Sequence, residues 1–271
     1  MTGVLLGLAA VLGLLIGSFL NVVAHRVPAG LSVVSPGSAC PGCENPISAR
    51  DNVPLLSWLL LRGRCRHCAM PISKRYPAVE ALTAVAFVLA ALPFVPRGAD
   101  LPTPAQAIEL VAFLYLAAIS VVLAVIDLDV RRLPDAIVLP AYAVGAVLLG
   151  AVDLLRADLV SAGWAAAGAG LAALFFAALW FAKPGGMGLG DVKLAGVLGL
   201  FLGHLGPAQL VVGIAAGFVL GGLYGVGLLL LRRADRSTAV PYGPWLVGGA
   251  WIGVLAGVPI AQAYLRLTGL G

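Results

Sequence analysis

Ala107-Ile-Glu-Leu-Val-Ala-Phe-Leu-Tyr-Leu-Ala-Ala-Ile-Ser-Val-Val-Leu-Ala-Val-Ile126 carries a single charge, Glu109, before it meets Asp127-Leu-Asp129. An apolar run of this length is what an α-helix needs to cross a hydrocarbon core of ~30 Å. The stretch therefore reads as a membrane span, and the acid at its end is the exception to be explained. A carboxylate at bilayer depth costs roughly 2.5–3.5 kcal/mol, so it is a functional hypothesis by default. A second one, Asp191, opens another apolar stretch in Gly186-Met-Gly-Leu-Gly-Asp191. The chain has only nine Asp and three Glu. Two aspartates at helix ends suggest a catalytic dyad.

Composition agrees with the spans. Of 271 residues, 61% are hydrophobic and 11% charged, and the mean hydropathy is +1.03. That composition excludes an ordinary soluble domain. Its 35 glycines fall largely in apolar stretches, where small residues let membrane helices approach closely. The net charge of +5 does not indicate nucleic-acid binding, because the basic residues sit in loops between spans. The pattern predicts an all-α polytopic membrane protein with about eight transmembrane helices: 3–24, 77–95, 107–126, 136–152, 161–182, 191–205, 208–231 and 242–264. The sixth is short; it is either tilted or joined to the seventh through Gly206-Pro207.

Lys and Arg mark the cytosolic side of a membrane protein. With the N-terminus outside, fourteen of them fall in cytosolic segments. Only Arg97, Arg156 and Arg266 fall outside. The first span has no basic residue before it, which favours a retained anchor over a cleaved signal. This topology puts Asp127, Asp191 and all four cysteines on the cytosolic face.

Residues 25–76 form the one long polar segment, with Cys40-Pro-Gly-Cys43 and Cys65-Arg-His-Cys68. Two thiolates three positions apart grip one tetrahedral ion, and four suit structural zinc. Disulfides are the alternative, but they are rare on a reducing cytosolic side. A zinc-ribbon-like loop also solves a size problem, since about 50 residues cannot build a core unaided. Four thiolates leave no open position for catalysis, and His67 reads as a bystander.

The carboxylates divide by position. Asp191 could simply cap its helix. The glycines before it, Gly185, Gly186, Gly188 and Gly190, exceed what a cap needs and suit close approach to a substrate backbone. Asp127 lies at a helix C-terminus, where the macrodipole disfavours negative charge. Residue chemistry alone does not separate it from Asp129. Asp135 reads as the cap of the next span. Glu80 and Glu109 suit first helical turns, and His204 reads as structural or interfacial.

Two carboxylates held close share a proton near neutral pH. The ionised one takes a proton from water while the protonated one polarises a carbonyl. Two other readings stand beside this one. Intramembrane acids and broken Gly-rich helices also occur in transporters, although here the acids sit at one rim. A non-enzymatic assembly factor could use the cysteine loop as a docking module.

The order of motifs along the chain resembles the bacterial prepilin peptidases, or type IV leader peptidases, a Gly-x-Gly-Asp intramembrane aspartic protease family. The matching residues are Gly17-Ser-Phe-Leu-Asn21 with His25-Arg-Val-Pro28, the paired Cys-x-x-Cys motifs, and Arg75-Tyr-Pro-Ala-Val-Glu80. They continue with Ile126-Asp127, Leu133-Pro-Asp135, Gly188-Leu-Gly-Asp191 and Pro241-Tyr-Gly-Pro244. The resemblance implies that Asp127, not Asp129 or Asp135, is catalytic together with Asp191. It implies cleavage of a basic leader, after Gly, from type IV prepilin or pseudopilin precursors at the cytosolic face of the inner membrane. The substrate junction is expected to cross Gly188 and Gly190. It also implies N-methylation of the new N-terminus with S-adenosylmethionine. That activity would belong to residues 1–80 and peptide cleavage to residues 81–271. No glycine-rich nucleotide loop marks the donor site.

Overall fold

The computed structural model describes residues 2–94, 101–183, 187–231 and 241–269. Its helices are α1 (Thr2–Arg26), α2 (Leu56–Leu60), α3 (Arg75–Ala91), α4 (Pro104–Val130), α5 (Asp135–Arg156), α6 (Leu159–Ala182), α7 (Leu189–Leu205), α8 (Pro207–Leu230) and α9 (Gly243–Thr268). The described residues contain no strand, only two isolated bridges in the cysteine loop. This is the all-α multi-pass architecture expected. Six helices, α1, α4, α5, α6, α8 and α9, are long and apolar enough to cross a membrane. The other two expected spans become α3 and α7, of 17 residues each. At ~1.5 Å per residue they reach about 26 Å, short of a full hydrocarbon core. Gly206, at φ +128°, ends α7, and Pro207 starts α8, so the sixth and seventh expected spans are separate helices.

The chain forms two compact units, and α4 contributes to both. One comprises residues 1–103 and 113–122. Here α1 packs on α3, with backbones brought together by glycine: a Cβ on Gly17 would lie 2.7 Å from Glu80 Cα. Asn21 holds the same seam, donating to the carbonyls of Gly17 and Tyr76, each at 3.2 Å. Phe94 stacks on Phe113.

The other unit comprises residues 104–112 and 123–271, and its centre is α7. Every residue from Leu194 to His204 is buried, on all sides of the helix. A helix apolar all round belongs in a core rather than at a surface. It packs on α5, α6, α8 and α9. It approaches α6 closely, where a Cβ on Gly199 would lie 2.2 Å from the Gly168 carbonyl oxygen and 2.7 Å from Ala172 Cβ. Such an approach gains dispersion contact where no hydrophobic force separates protein from lipid.

A Gly199→Val substitution should force α6 and α7 apart and destabilise the protein by about 1–3 kcal/mol or more. The thermal midpoint in detergent, compared with that of Gly170→Val, where a Cβ meets open space, measures this.

Candidate active site and metal centre

Asp127 occupies the last turn of α4, a helix without a basic residue in that turn. The dipole there opposes a carboxylate, and the structure supplies compensation from another helix. The backbone N–H of Gly243 donates to Asp127 Oδ2 at 2.9 Å. Gly243 is the first residue of α9, so this N–H is one of the orphan donors of a helix start. The contact also requires glycine, because a Cβ there would lie 2.9 Å from the same oxygen. Asp127 is 4% exposed, whereas Asp129, two residues on, faces outward. The buried aspartate of the pair is the one the motif order singles out.

Asp191 is held by the same kind of donor. It is the third residue of α7, and its Oδ2 accepts from the N–H of Gly188, the capping residue, at 3.1 Å. Glycine has no side chain to return the bond, so this is half of a capping box. Asp191 thus does cap its helix, from inside the first turn, and it is buried. The end of α4 and the starts of α7 and α9 place the two acids within electrostatic reach of each other.

Tyr242, immediately before Gly243, completes the local frame. Its ring sits against Gly221, where a Cβ would lie 2.2 Å from Cε2, and leans on Phe176. Its hydroxyl lies 3.5 Å from the Gly217 carbonyl. The turn Pro241–Pro244 was legible as a motif, but its role as donor to Asp127 depends on tertiary contact.

The neighbouring glycines and cations are also placed. Gly190 faces Leu133, with room for no Cβ (2.9 Å), so it seats α7 on the α4–α5 connection. Gly188 lies beside the Asp191 carboxylate. Gly185 and Gly186 lie outside the described residues. Lys193 pairs with Asp135 at 2.8 Å, so this cation is engaged with a partner on α5. Pro134, not Asp135, takes the capping position of α5, and the Asp135 carboxylate pairs with Lys193.

The four cysteines converge. Their sulfurs all lie within 4.8 Å of one another, with Cys40 to Cys68 at 3.7 Å and Cys43 to Cys65 at 4.0 Å. A tetrahedral ion with metal–sulfur bonds of ~2.3 Å sets sulfurs ~3.8 Å apart, so the set fits a four-thiolate metal. The two halves are the same turn made twice. Cys40 N–H donates to Asn45 O and Glu44 N–H to Cys40 O; Cys65 N–H donates to Met70 O and Ala69 N–H to Cys65 O. Glu44 and Ala69 both adopt φ +57°. Backbone N–H groups of Cys68 and then His67 bring the Cys65 thiol down to about 6, while burial and the neighbouring sulfurs push the Cys68 thiol up to about 12. The His67 side chain is exposed and outside the cluster.

Sequence reasoning missed how this loop is anchored. Glu80 Oε2 accepts from Leu55 N–H at 2.8 Å, and Leu55 holds φ +58°. The helix-start reading of Glu80 gave no hint of a partner 25 residues away. Purified protein should carry about one metal ion per chain, and Cys65→Ser should lower that content and expose the loop to protease; elemental analysis and limited proteolysis measure both.

Comparison with known proteins follows these features. Residues 11–94 match the family model described as the bacterial peptidase A24 N-terminal domain, and residues 114–226 that of the type IV leader peptidase family. A prepilin leader peptidase/N-methyltransferase of Aeromonas hydrophila is 38% identical, across 93% of this chain and 91% of its own length. Proteins of the same name from Pseudomonas putida and Stutzerimonas stutzeri are 36% and 34% identical, each across 97% of this chain and 94% of the relative. No solved structure matches the chain.

Proposed function

Because the chain belongs to the type IV leader peptidase family, we propose that Asp127 and Asp191 form the dyad of a membrane aspartic endopeptidase. It removes the basic leader of type IV prepilin or pseudopilin precursors after Gly, at the cytosolic face of the inner membrane. The observation that supports this best is the pair of buried carboxylates, from different helices, each fixed by a backbone N–H and within electrostatic reach of the other.

The chemistry follows from sharing one proton. The ionised carboxylate takes a proton from a water, whose oxygen attacks the scissile carbonyl carbon. The protonated carboxyl donates to the carbonyl oxygen as it gains charge. Collapse of the tetrahedral species breaks the C–N bond, and the amine leaves with a proton from the dyad. No covalent intermediate forms. The hydrogen bonds from Gly243 and Gly188 fix which oxygens stay free for this exchange.

The leader junction crosses the connection before α7, against Gly188 and Gly190, while the precursor's apolar helix lies among lipid and the bundle. Partners are such precursors and membrane lipid, with no role for nucleic acid. The N-terminus lies outside, and the four-cysteine loop is cytosolic and holds zinc. That zinc would be bound by Cys40, Cys43, Cys65 and Cys68 and closes the loop without an open position for substrate. Residues 1–80 serve the second activity, methylation of the new N-terminal amine by S-adenosylmethionine, and residues 81–271 serve cleavage. The described residues of this region form no strand–glycine-loop–helix cradle of the kind that grips an adenosyl group.

Incubated with a prepilin-like precursor, the purified protein should release the leader by cleavage after Gly, followed by mass. Asp127→Asn and Asp191→Asn should each lower the rate by at least about 10³-fold, while Asp129→Asn stays near wild type. Loss with Asp129→Asn alone would overturn the assignment. Gly243→Ala should cut kcat by about tenfold or more through displacement of Asp127, with the fold retained by circular dichroism.

A further inference from the structure

The cysteine loop contains a short helix built inside out. In α2, Leu56, Leu59 and Leu60 stand at i, i+3 and i+4, the spacing that puts side chains on one face. That face is open: the three are 52%, 64% and 73% exposed. Val53, three residues before Leu56, is exposed as well. The polar residue of the helix turns the other way. Ser57 is buried, and its hydroxyl accepts from the Val53 N–H at 2.9 Å and donates to the Arg50 carbonyl at 3.0 Å. Trp58 gives its Nε1–H to the Ile72 carbonyl at 3.2 Å. A helix in water buries leucine and exposes serine, so the outer face of α2 is suited to an apolar medium.

Its level along the neighbouring helices identifies that medium. Helices α1 and α3 run antiparallel. A Cβ on Gly13 would lie 2.6 Å from Ala84 Cα, one on Gly17 would lie 2.7 Å from Glu80 Cα, and Asn21 donates to the Tyr76 carbonyl. Glu80 is therefore level with Gly17, nine residues inside Arg26 on α1 and five inside Arg75 on α3. At ~1.5 Å per residue these offsets are about 13 and 8 Å from the two cations. The Leu55 N–H donates to Glu80 Oε2 at 2.8 Å, so α2 starts within one side chain's reach of that level. Because α1 is long and apolar enough to cross a membrane, this level lies inside its charged rim. Interfacial helices bury an apolar face at a similar depth, about 5–10 Å into the boundary of headgroups and acyl chains.

The charge around α2 fits a bilayer surface too. Residues 25–76 carry seven Lys and Arg against Glu44 and Asp51, and Asp51 is taken by Arg66. Arg62 and Arg64 follow α2 directly and are exposed. Cations beside an apolar face suit anionic headgroups. A water-soluble partner would have to reach below the charged rim to cover the same leucines.

We propose that α2 is an interfacial anchor: Leu56, Leu59 and Leu60 seat among the acyl chains of the leaflet on the loop's side, and Arg62 and Arg64 meet its phosphates. The loop is then held to the bilayer at its middle as well as through α1 and α3. Two contacts pass this hold to the second cysteine pair. Arg66, between Cys65 and Cys68, pairs with Asp51, and Ile72, just after them, takes the Trp58 N–H. The four-thiolate cluster is thereby kept at a set height over the membrane. The inference is independent of the dyad reading and of which face of the membrane the loop occupies.

The test uses full-length protein in vesicles of phosphatidylethanolamine and phosphatidylglycerol. The photo-crosslinking residue p-benzoylphenylalanine replaces Leu60 in one variant and Leu171, exposed on the span α6, in a reference variant. After illumination the Leu60 variant should carry the mass of a phospholipid, with a yield within about threefold of the reference. A crosslink to a second copy of the chain, or a lipid yield below about a tenth of the reference, would overturn the proposal. A second variant joins Leu56→Ser, Leu59→Ser and Leu60→Ser. Among molecules with the loop outside, trypsin should cut it after Arg62 and Arg64 about tenfold faster than wild type, with circular dichroism and metal content unchanged. Equal rates of cutting would count against the anchor. So would loss of the fold or the metal in this variant, because the leucines would then be packing against protein rather than lipid.

Discussion

A carboxylate buried in an apolar helical bundle must be met by a donor, and in this protein the donors at the dyad are backbone N–H groups at helix starts. Gly243 supplies one to Asp127 and Gly188 one to Asp191. These groups are unpaired in any helix, so their use leaves no new polar group to satisfy. A lysine or arginine in their place would hold the acid ionised and remove it from proton exchange. Backbone donors also favour the charged oxygen, but without setting a full positive charge beside it. The rest of the second unit exists around this constraint: α9 must begin beside the end of α4, and α7 must begin beside both.

Glycine makes those approaches possible in a small number of places. At Gly243 any side chain would strike the carboxylate it serves, and at Gly190 any side chain would strike Leu133. At the α6–α7 seam, Gly168 and Gly199 bring carbonyl oxygens within reach of the facing helix. These are different uses of one property, and a glycine count alone does not distinguish them.

Much of this was legible in the sequence. The spans follow from length and apolarity, and the four-thiolate cluster from two Cys-x-x-Cys pairs whose sulfurs converge. That Asp127 is out of place at a helix C-terminus is also a sequence statement, and its burial beside an exposed Asp129 agrees with it. What the sequence lacked was partnership across distance. Nothing local to Lys193 announces that Asp135, from another helix, holds it. Glu109, His204 and Arg156 each had an ordinary local explanation, as a helix start, a helix end and a topology charge. Only the bundle brings them to one place. The shortness of α3 was hidden for the opposite reason, since apolar residues continue past Ala91, where the helix stops.

The burial of α7 on every side carries a consequence for how the protein is made. A segment leaving the ribosome into the bilayer is first surrounded by lipid, yet this one is too short to cross it and carries Asp191 and His204 near its ends. It is Gly-rich, with Asp191 in its first turn and His204 in its last. Two of its neighbours, α8 and α9, are synthesised after it. The helix that bears Asp191 must therefore wait for later parts of the chain before it can settle beside Asp127. An incomplete chain still inside the insertion machinery thus lacks the pairing of Asp127 with Asp191, which arrives together with the completed bundle.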